Sequence, residues 1–461
     1  MRGRRSSRSM GRSGGGERSI PILAWLILAL VAIAPIPLGG TPPLTWTIWG
    51  VLLGLTAIIT IAVRTASGRQ PAATEAPFIA AQAGFLVVCA YLAFQVLPLG
   101  QLVGPIPLTV SDGSTIGMNT ISVSPGDTVL MLVRMLSFAL LFGLTVIAAR
   151  GRRTRNLLLA GVVLIVTLHA LHGLLALFQF GDTLLGMEKT RYPGVATSTF
   201  LNRNNYATFL AIGTAVALAC AARSMVQSGD RGIRLNYDAK ALLYLVAAAI
   251  MTTTVVTTQS RAGLAVTVVG AVTVLIATVA SNVRMLRPLL LIAPVLLVLF
   301  GIMFLQLGES VWLRYESVSD AFNFRLELYR QVIELISHRP FLGFGGGSFE
   351  LAFTTVHTQA LATELTWNEA HNTYLELWAD LGLVFGSIPI LMAGGLFILL
   401  VVRLSRGEGS WAGQTAALAA IAIAAIHSLF DFSLEIQSVA FLFVVVCGIG
   451  VAATSARRSK E

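Results

Sequence analysis

The amino-acid sequence predicts an all-α polytopic membrane protein with about twelve transmembrane helices and one long extramembrane loop. Three observations predict it. Of 461 residues, 55% are hydrophobic and 12% are charged, which is about half the charged share of a soluble domain. Mean hydropathy is +0.78. Apolar stretches of about 18 or more residues, each long enough to cross a bilayer, recur along the whole chain.

The chain opens with MRGRRSSRSMGRSGGGERS, a basic, Gly/Ser-rich segment expected to form a disordered tail over residues 1–19. It resembles the first part of a signal peptide. The apolar run that follows is longer than a signal core and further spans come after it, so an uncleaved first helix is expected. Expected spans are 20–39, 44–63, 78–99, 127–149, 156–178, 204–222, 241–258, 262–281, 288–306, 374–402, 412–432 and 436–455. The first nine fill residues 20–306, the long loop takes 307–373, the last three helices lie in 374–455, and 456–461 is a short tail. Cys89, Cys220 and Cys447 each fall inside an apolar run, without metal-ligand spacing, and read as packing residues.

Alternate loops are basic. The N-terminal arginines, Arg64 and Arg69, Arg150 to Arg155, Arg223 to Lys240, Arg284 and Arg287, Arg403 and Arg406, and Arg457 to Lys460 fall on one side. Positive residues mark cytoplasmic loops, so both termini are expected in the cytoplasm. The net charge of +10 therefore reflects topology rather than nucleic-acid binding. On the opposite side the loop at about 100–126 has no Lys or Arg. The basic residues that do occur there are Lys189, Arg191, Arg203, Arg261, Arg314, Arg325, Arg330 and Arg339. Topology disfavours them, and an anionic ligand on that face would explain them.

Within the long loop, FRLELYRQVIELISHRP places Leu328, Val332, Leu335 and Ile336 on one helical face, which predicts an amphipathic helix at the membrane interface, stopped by Pro340. FLGFGGGSF at 341–349 lacks the Lys-Ser/Thr of a phosphate-binding loop. It reads as a turn, or as a loop whose backbone N–H groups line a pocket. RYPGVATSTFLNRNNYATFLA at 191–211 is either a polar loop with Ser198 or Asn205 near a helix cap, or part of an anion site. In TTQSRAGLAV, Arg261 sits between two apolar runs, either snorkelling or binding an anion. His169 and His172 read as hydrogen-bonded within the bundle, and Arg134, Glu376, Asp380, His427 and Asp431 as mostly paired intramembrane groups. No metal-binding motif is present in the sequence.

The most specific segment is NEAHNTYLELWADLG at 368–382, which puts an ionisable imidazole and two amides at the mouth of an apolar helix. With RLELYRQVIELISHRPFLGFGGGSF before it, STFLNRNNYATFL and TQSRAG upstream and HSLFDF at 427–432, it resembles the O-antigen ligase and O-antigen polymerase superfamily over about residues 190–435. The resemblance implies a GT-C-like membrane glycosyltransferase. Such an enzyme takes a glycan from undecaprenyl diphosphate at the periplasmic face of the bacterial inner membrane and passes it to an acceptor hydroxyl, lipid A–core in a ligase, without metal or other cofactor. His371 and Arg261 map onto the family's essential histidine and one essential arginine. Arg191 maps onto the other, with Arg203 as the alternative. Arg325, Asn372 and Tyr374 complete the expected substrate-binding set. The partners implied are the lipid-linked donor, a glycolipid or glycan acceptor and membrane lipid, and no nucleic acid.

The residue chemistry is compatible with this. Attack on an anomeric carbon needs a base for the acceptor hydroxyl, and the pKa of imidazole lies near ambient pH. A departing diphosphate gains charge that the arginine fork stabilises. A polymerase acting on a lipid-linked repeat would use the same chemistry. A transporter of lipid-linked glycans would also place arginines near a diphosphate, but along a midplane pathway with paired broken helices.

Overall fold

The computed structural model describes residues 16–68, 75–99, 107–109, 115–117, 119–229, 232–235, 238–281, 301, 315–358, 361 and 367–454. Thirteen α-helices occur among them. They are α1 (Gly16–Ile33), α2 (Pro43–Ala66), α3 (Ala76–Gln95), α4 (Pro125–Ala149), α5 (Arg152–Phe178), α6 (Arg203–Met225) and α7 (Ala239–Thr257). After these come α8 (Arg261–Ser281), α9 (Tyr315–His338), α10 (Phe349–Phe353), α11 (Thr373–Ser405), α12 (Trp411–His427) and α13 (Gln437–Thr454). Nine of the described helices are long and apolar enough to cross a membrane, and α12 and residues 21–33 of α1 are shorter apolar helices. The fold is an all-α polytopic membrane bundle, as the sequence predicts. The expected span 288–306, Arg314 and the tail 456–461 lie outside the described residues, apart from Gly301. So do residues 1–15 of the expected N-terminal tail, while α1 already begins at Gly16.

Composition explains which helices lie inside. α6 has the lowest mean hydropathy of the nine, 1.5, yet its apolar window is 100% buried. Its sequence, ATFLAIGTAVALACAA, is rich in small residues that let neighbouring backbones approach, which is how helices associate when lipid tails offer no contrast in hydrophobicity. α13 is buried almost as fully, whereas the Leu- and Ile-rich α2 is only 11% buried and presents Leu52, Leu55, Ile58 and Ile59 outward.

Cross-loop hydrogen bonds sort the loops into two ends. At one end Ser410 N donates to Ala453 O, and Arg150 pairs with Glu75. At the other, Ser122 N donates to Gln95 O, Ala196 N to Thr257 O, and Ser438 Oγ to Gly39 O. Each of these contacts joins two segments that the charges read onto one side.

The long loop folds back on the bundle. In α9 the residues Leu328, Val332, Leu335 and Ile336 are all buried, against Phe344, Phe349, Phe353 and Ala379 among others. The helix is amphipathic as expected, but protein rather than a lipid interface covers that stripe. The Gly-rich turn is packed too. Phe344 N donates to Ala379 O, Gly345 N to Asp380 O, Gly346 N to Gln95 Oε1 and Gly347 N to Asp380 Oδ2. These donors are spent inside the protein, so the turn does not present them to a pocket. Gly343 and Gly382, both at positive φ, face each other's strands of backbone so closely that a Cβ on either would collide with carbonyl groups of the other segment. This contact breaks α11 at Gly382.

The sidedness gives a first expected result. Cys89, Cys220 and Cys447 are all buried, so a membrane-impermeant thiol reagent has little background. Applied from the periplasmic side of intact spheroplasts, it should label Thr354→Cys and not Ser405→Cys, both of which are exposed positions. The reverse pattern would invert the topology.

Candidate active site

Three helix starts converge at the end of the bundle that carries His371. α6 begins at Arg203, capped by Asn202, whose Oδ1 accepts the Asn204 N–H at 2.8 Å. α8 begins at Arg261, capped by Ser260, whose Oγ accepts the Gly263 N–H at 3.1 Å. α11 begins at Thr373, capped by Asn372, whose Oδ1 accepts from Tyr374 N at 3.0 Å and Leu375 N at 3.1 Å. Each cap uses a residue type that suits it because a short side-chain acceptor reaches back to the unpaired donors of the first turn. Each start also carries the positive end of a helix dipole, a fixed preference for anions. A cationic or titratable side chain stands at each: Arg203, Arg261 and His371.

Hydrogen bonds tie the three starts together. Ser260 Oγ donates to Asn204 Oδ1 at 2.8 Å, and Asn204 Nδ2 donates to Asp431 Oδ2 at 2.7 Å. Thr373 N donates to Ser428 O at 3.0 Å, and Thr373 Oγ1 to Asp431 O at 3.3 Å. Tyr329 Oη, from α9, lies 3.0 Å from His371 O and 3.1 Å from Leu429 O, two carbonyls that share its one hydroxyl hydrogen.

Beside this junction lies a cavity of about 510 Å³. Arg191 and His371, 180 positions apart in the chain, both line it. Tyr192, Phe200, Trp367 and Phe432 supply apolar wall, Asn202, Asn205 and Asn368 supply amides, and Glu369 a carboxyl group. Leu38, Thr41 and Ile436 come from the turns after α1 and before α13. Flat rings beside amides suit a polyhydroxylated ligand, which presents C–H faces and hydroxyl edges.

His371 holds a left-handed backbone, φ 51°, immediately before its helix cap. Histidine is among the residue types that tolerate this region. Its ring stands edge-to-face against Phe432 at 5.0 Å and Trp367 at 6.2 Å. Burial lowers its pKa below that of free imidazole; the Asp431 carboxylate opposes the shift and the Arg325 guanidinium adds to it. Burial raises the pKa of Glu369 above the ordinary carboxyl value, with a hydrogen bond to Glu376 and the charge of Arg134 opposing.

The basic residues of this end divide in two. Lys189 pairs with Asp182 and donates to Val195 O, Arg330 pairs with Glu327 and Glu334, and Arg339 donates to Ile121 O. These are structural. Among the described residues Arg191, Arg203, Arg261 and Arg325 have no carboxylate partner, although Arg203 lies over the Tyr192 ring at 5.2 Å. Arg191, Arg261 and Arg325 are exposed, and Arg203 is half-buried. Of these four, Arg191 alone lines the cavity; Arg203 and Arg261 stand at the adjoining helix starts.

Two expected ligand contacts are engaged within the fold. Asn372 is buried, its Oδ1 caps α11 and its Nδ2 donates to Leu429 O, so its amide is committed to the fold. Tyr374 Oη donates to Ala425 O at 2.7 Å, and neither residue lines the cavity. The cap of α6 is Asn202; Ser198 instead bonds His172 Nδ1, and Asn205 Oδ1 accepts from Ser433 Oγ. His169 bonds Ala32 O, in keeping with a bundle-interior role. Arg134 pairs with Glu435 at 3.7 Å and stacks on Trp46, bracing the turn before α13. His427 is buried with neither ring nitrogen bonded to a protein atom, so it is not among the paired groups. Sequence reading passed over Tyr329, Trp367 and Glu369 as site residues. Trp367 and Glu369 flank His371 closely enough for proximity to have suggested them; nothing local marks Tyr329. No group of three or more His, Cys, Asp or Glu among the described residues is placed to hold a metal ion.

Residues 246–390 match the family model described as O-antigen ligase. This match places that segment in the O-antigen ligase family. It runs from within α7 to within α11, so the O-antigen ligase segment contains Arg261, Arg325 and His371 and leaves out Arg191 and Arg203. The match supports the O-antigen ligase and polymerase superfamily, and with it a membrane glycosyltransferase type of protein. No curated protein matches the chain.

Proposed function

We propose that this chain is a metal-independent glycosyltransferase of the O-antigen ligase type, moving a glycan from undecaprenyl diphosphate to a hydroxyl of lipid A–core at the periplasmic face of the inner membrane. The observation that carries the reading is the shared cavity. An unpaired arginine and a half-buried imidazole face one space, beside two further arginines at helix starts. The acceptor oxygen attacks the anomeric carbon while His371 takes its proton. The bond from that carbon to the phosphate oxygen breaks, and the diphosphate leaves with the electron pair. Arg191 and Arg261, with Arg203 beside them, meet the growing negative charge, an electrostatic contribution that is large where water is excluded. Arg325, whose charge acts on His371, is assigned to the acceptor. A single displacement inverts the anomeric configuration.

The test is purified protein in detergent, with synthetic lipid-linked glycan, lipid A–core and chelator, and no gradient. Release of undecaprenyl diphosphate with glycan on lipid A–core is the expected result. Elongation of lipid-linked repeat with lipid A–core untouched would make the protein a polymerase. No donor consumption with either acceptor, from folded protein, would reject transfer and favour transport.

A further inference from the structure

The arginine that starts α8 and the histidine that precedes α11 are held by separate elements, yet one side chain stands between them. Asn204 is the second residue of α6. Its Oδ1 accepts from Ser260 Oγ at 2.8 Å, and Ser260 is the residue before Arg261. Its Nδ2 donates to Asp431 Oδ2 at 2.7 Å. Asp431 also accepts from Phe432 N at 2.8 Å, and the Phe432 ring packs edge-on against His371 at 5.0 Å. Ser260 and Asp431 are 2% and 1% exposed, and Asn204 between them is half-buried. The amide has one orientation that satisfies both partners, since a hydroxyl must donate to its oxygen and a carboxylate must accept from its nitrogen.

We propose that Asn204 is a positioning residue that sets Arg261 at one distance from His371, through Ser260 on one side and Asp431 with Phe432 on the other. It touches no substrate, and it is absent from the cavity lining. Its function is geometric. Stabilisation of a leaving diphosphate and proton removal from an attacking hydroxyl must act on the same anomeric carbon, and small misplacements of either cost rate. The proposal rests on the glycan-transfer reading above.

A double-mutant cycle on kcat for glycan transfer tests it. The variants are Asn204→Ala, Ser260→Ala and Arg261→Ala, singly and in pairs with Arg261→Ala. Asn204→Ala should lower kcat about tenfold or more with the donor KM changed less than about threefold, because only a well-placed arginine loses its advantage. In either background the penalty for Arg261→Ala should shrink from about a hundredfold to about tenfold or less, since groups that act as a unit are not additive. A role confined to folding would lower membrane yield and thermal stability while leaving the Arg261→Ala penalty at its full factor, and that result overturns the proposal. If Asn204→Ala does not insert, Ser260→Ala breaks the same bond from the other side and carries the test; full kcat in inserted Ser260→Ala protein also overturns it. Wild-type protein inactive on every donor and acceptor would instead reject the transfer reading itself.

Discussion

Replacing His371 with alanine is expected to lower glycan transfer by about 10²–10⁴-fold, the range for loss of a general base. Donor binding should survive, since the arginines and helix starts rather than the imidazole would hold the diphosphate. His371→Asn is the control for the backbone: asparagine accepts a φ of 51° readily, removes the base, and should be equally inactive in a folded protein. His338→Ala and His357→Ala should be mild; His338 ends α9, and His357 stacks on Phe353 at 5.5 Å. The pH profile adds a second reading of the same group. The reactive form is the neutral imidazole, and burial lowers the pKa of His371. The acid limb of the rate should therefore fall at a pH below that of free imidazole, about 6.5. Arg325 contributes to that lowering, so Arg325→Gln should move the limb toward higher pH. Transfer rate, donor binding and pH profile of these variants settle the matter. An active His371→Asn enzyme, or a wild-type limb above the free imidazole value, would remove the general-base role.

Arg191→Ala and Arg261→Ala should each cost at least about a hundredfold in kcat/KM, as expected when an oxyanion-type contact is lost. The structure orders the arginines. Arg191 lines the cavity with no carboxylate to satisfy, whereas Arg203 is partly engaged with the Tyr192 ring, so Arg191→Ala should be the more damaging of those two. Lysine at 191 or 261 should restore activity only in part, because an ammonium lacks the planar fork that grips phosphate oxygens in pairs. Arg330→Ala is the matched control. That side chain is exposed and already paired with Glu327 and Glu334, and exposed ion pairs contribute little. Steady-state kinetics on reconstituted protein, varying the lipid-linked donor, gives the comparison. Near wild-type kcat/KM in both Arg191→Ala and Arg261→Ala would move the diphosphate elsewhere.

Much of the architecture is written locally. Long apolar runs must be helical in a membrane because each backbone polar group has to be satisfied within its own segment. Eleven of the twelve expected spans therefore correspond to described helices, and the remaining one, 288–306, lies outside the described residues but for Gly301. The stripe Leu328, Val332, Leu335 and Ile336 and the stop at Pro340 were legible for the same reason: periodicity and proline act within one or two turns. What covers that stripe was not legible, since an amphipathic face looks the same against lipid as against Phe349 and Phe353.

The sequence by itself determined where the helices run, and it put arginines that topology disfavours on the same predicted face as the loop that carries His371. Only the tertiary structure decided which of those polar residues face a common space. Asn372 and Tyr374 lie within three residues of His371, yet their hydrogen bonds are consumed in a helix cap and an interhelical tie. Arg191, far away in sequence, shares its cavity. The physical reason is that helix formation depends on neighbours within a few residues, whereas a polar side chain is free for ligand only if no packed partner claims it. That partner is chosen by which helix starts meet, here α6, α8 and α11 around Asp431.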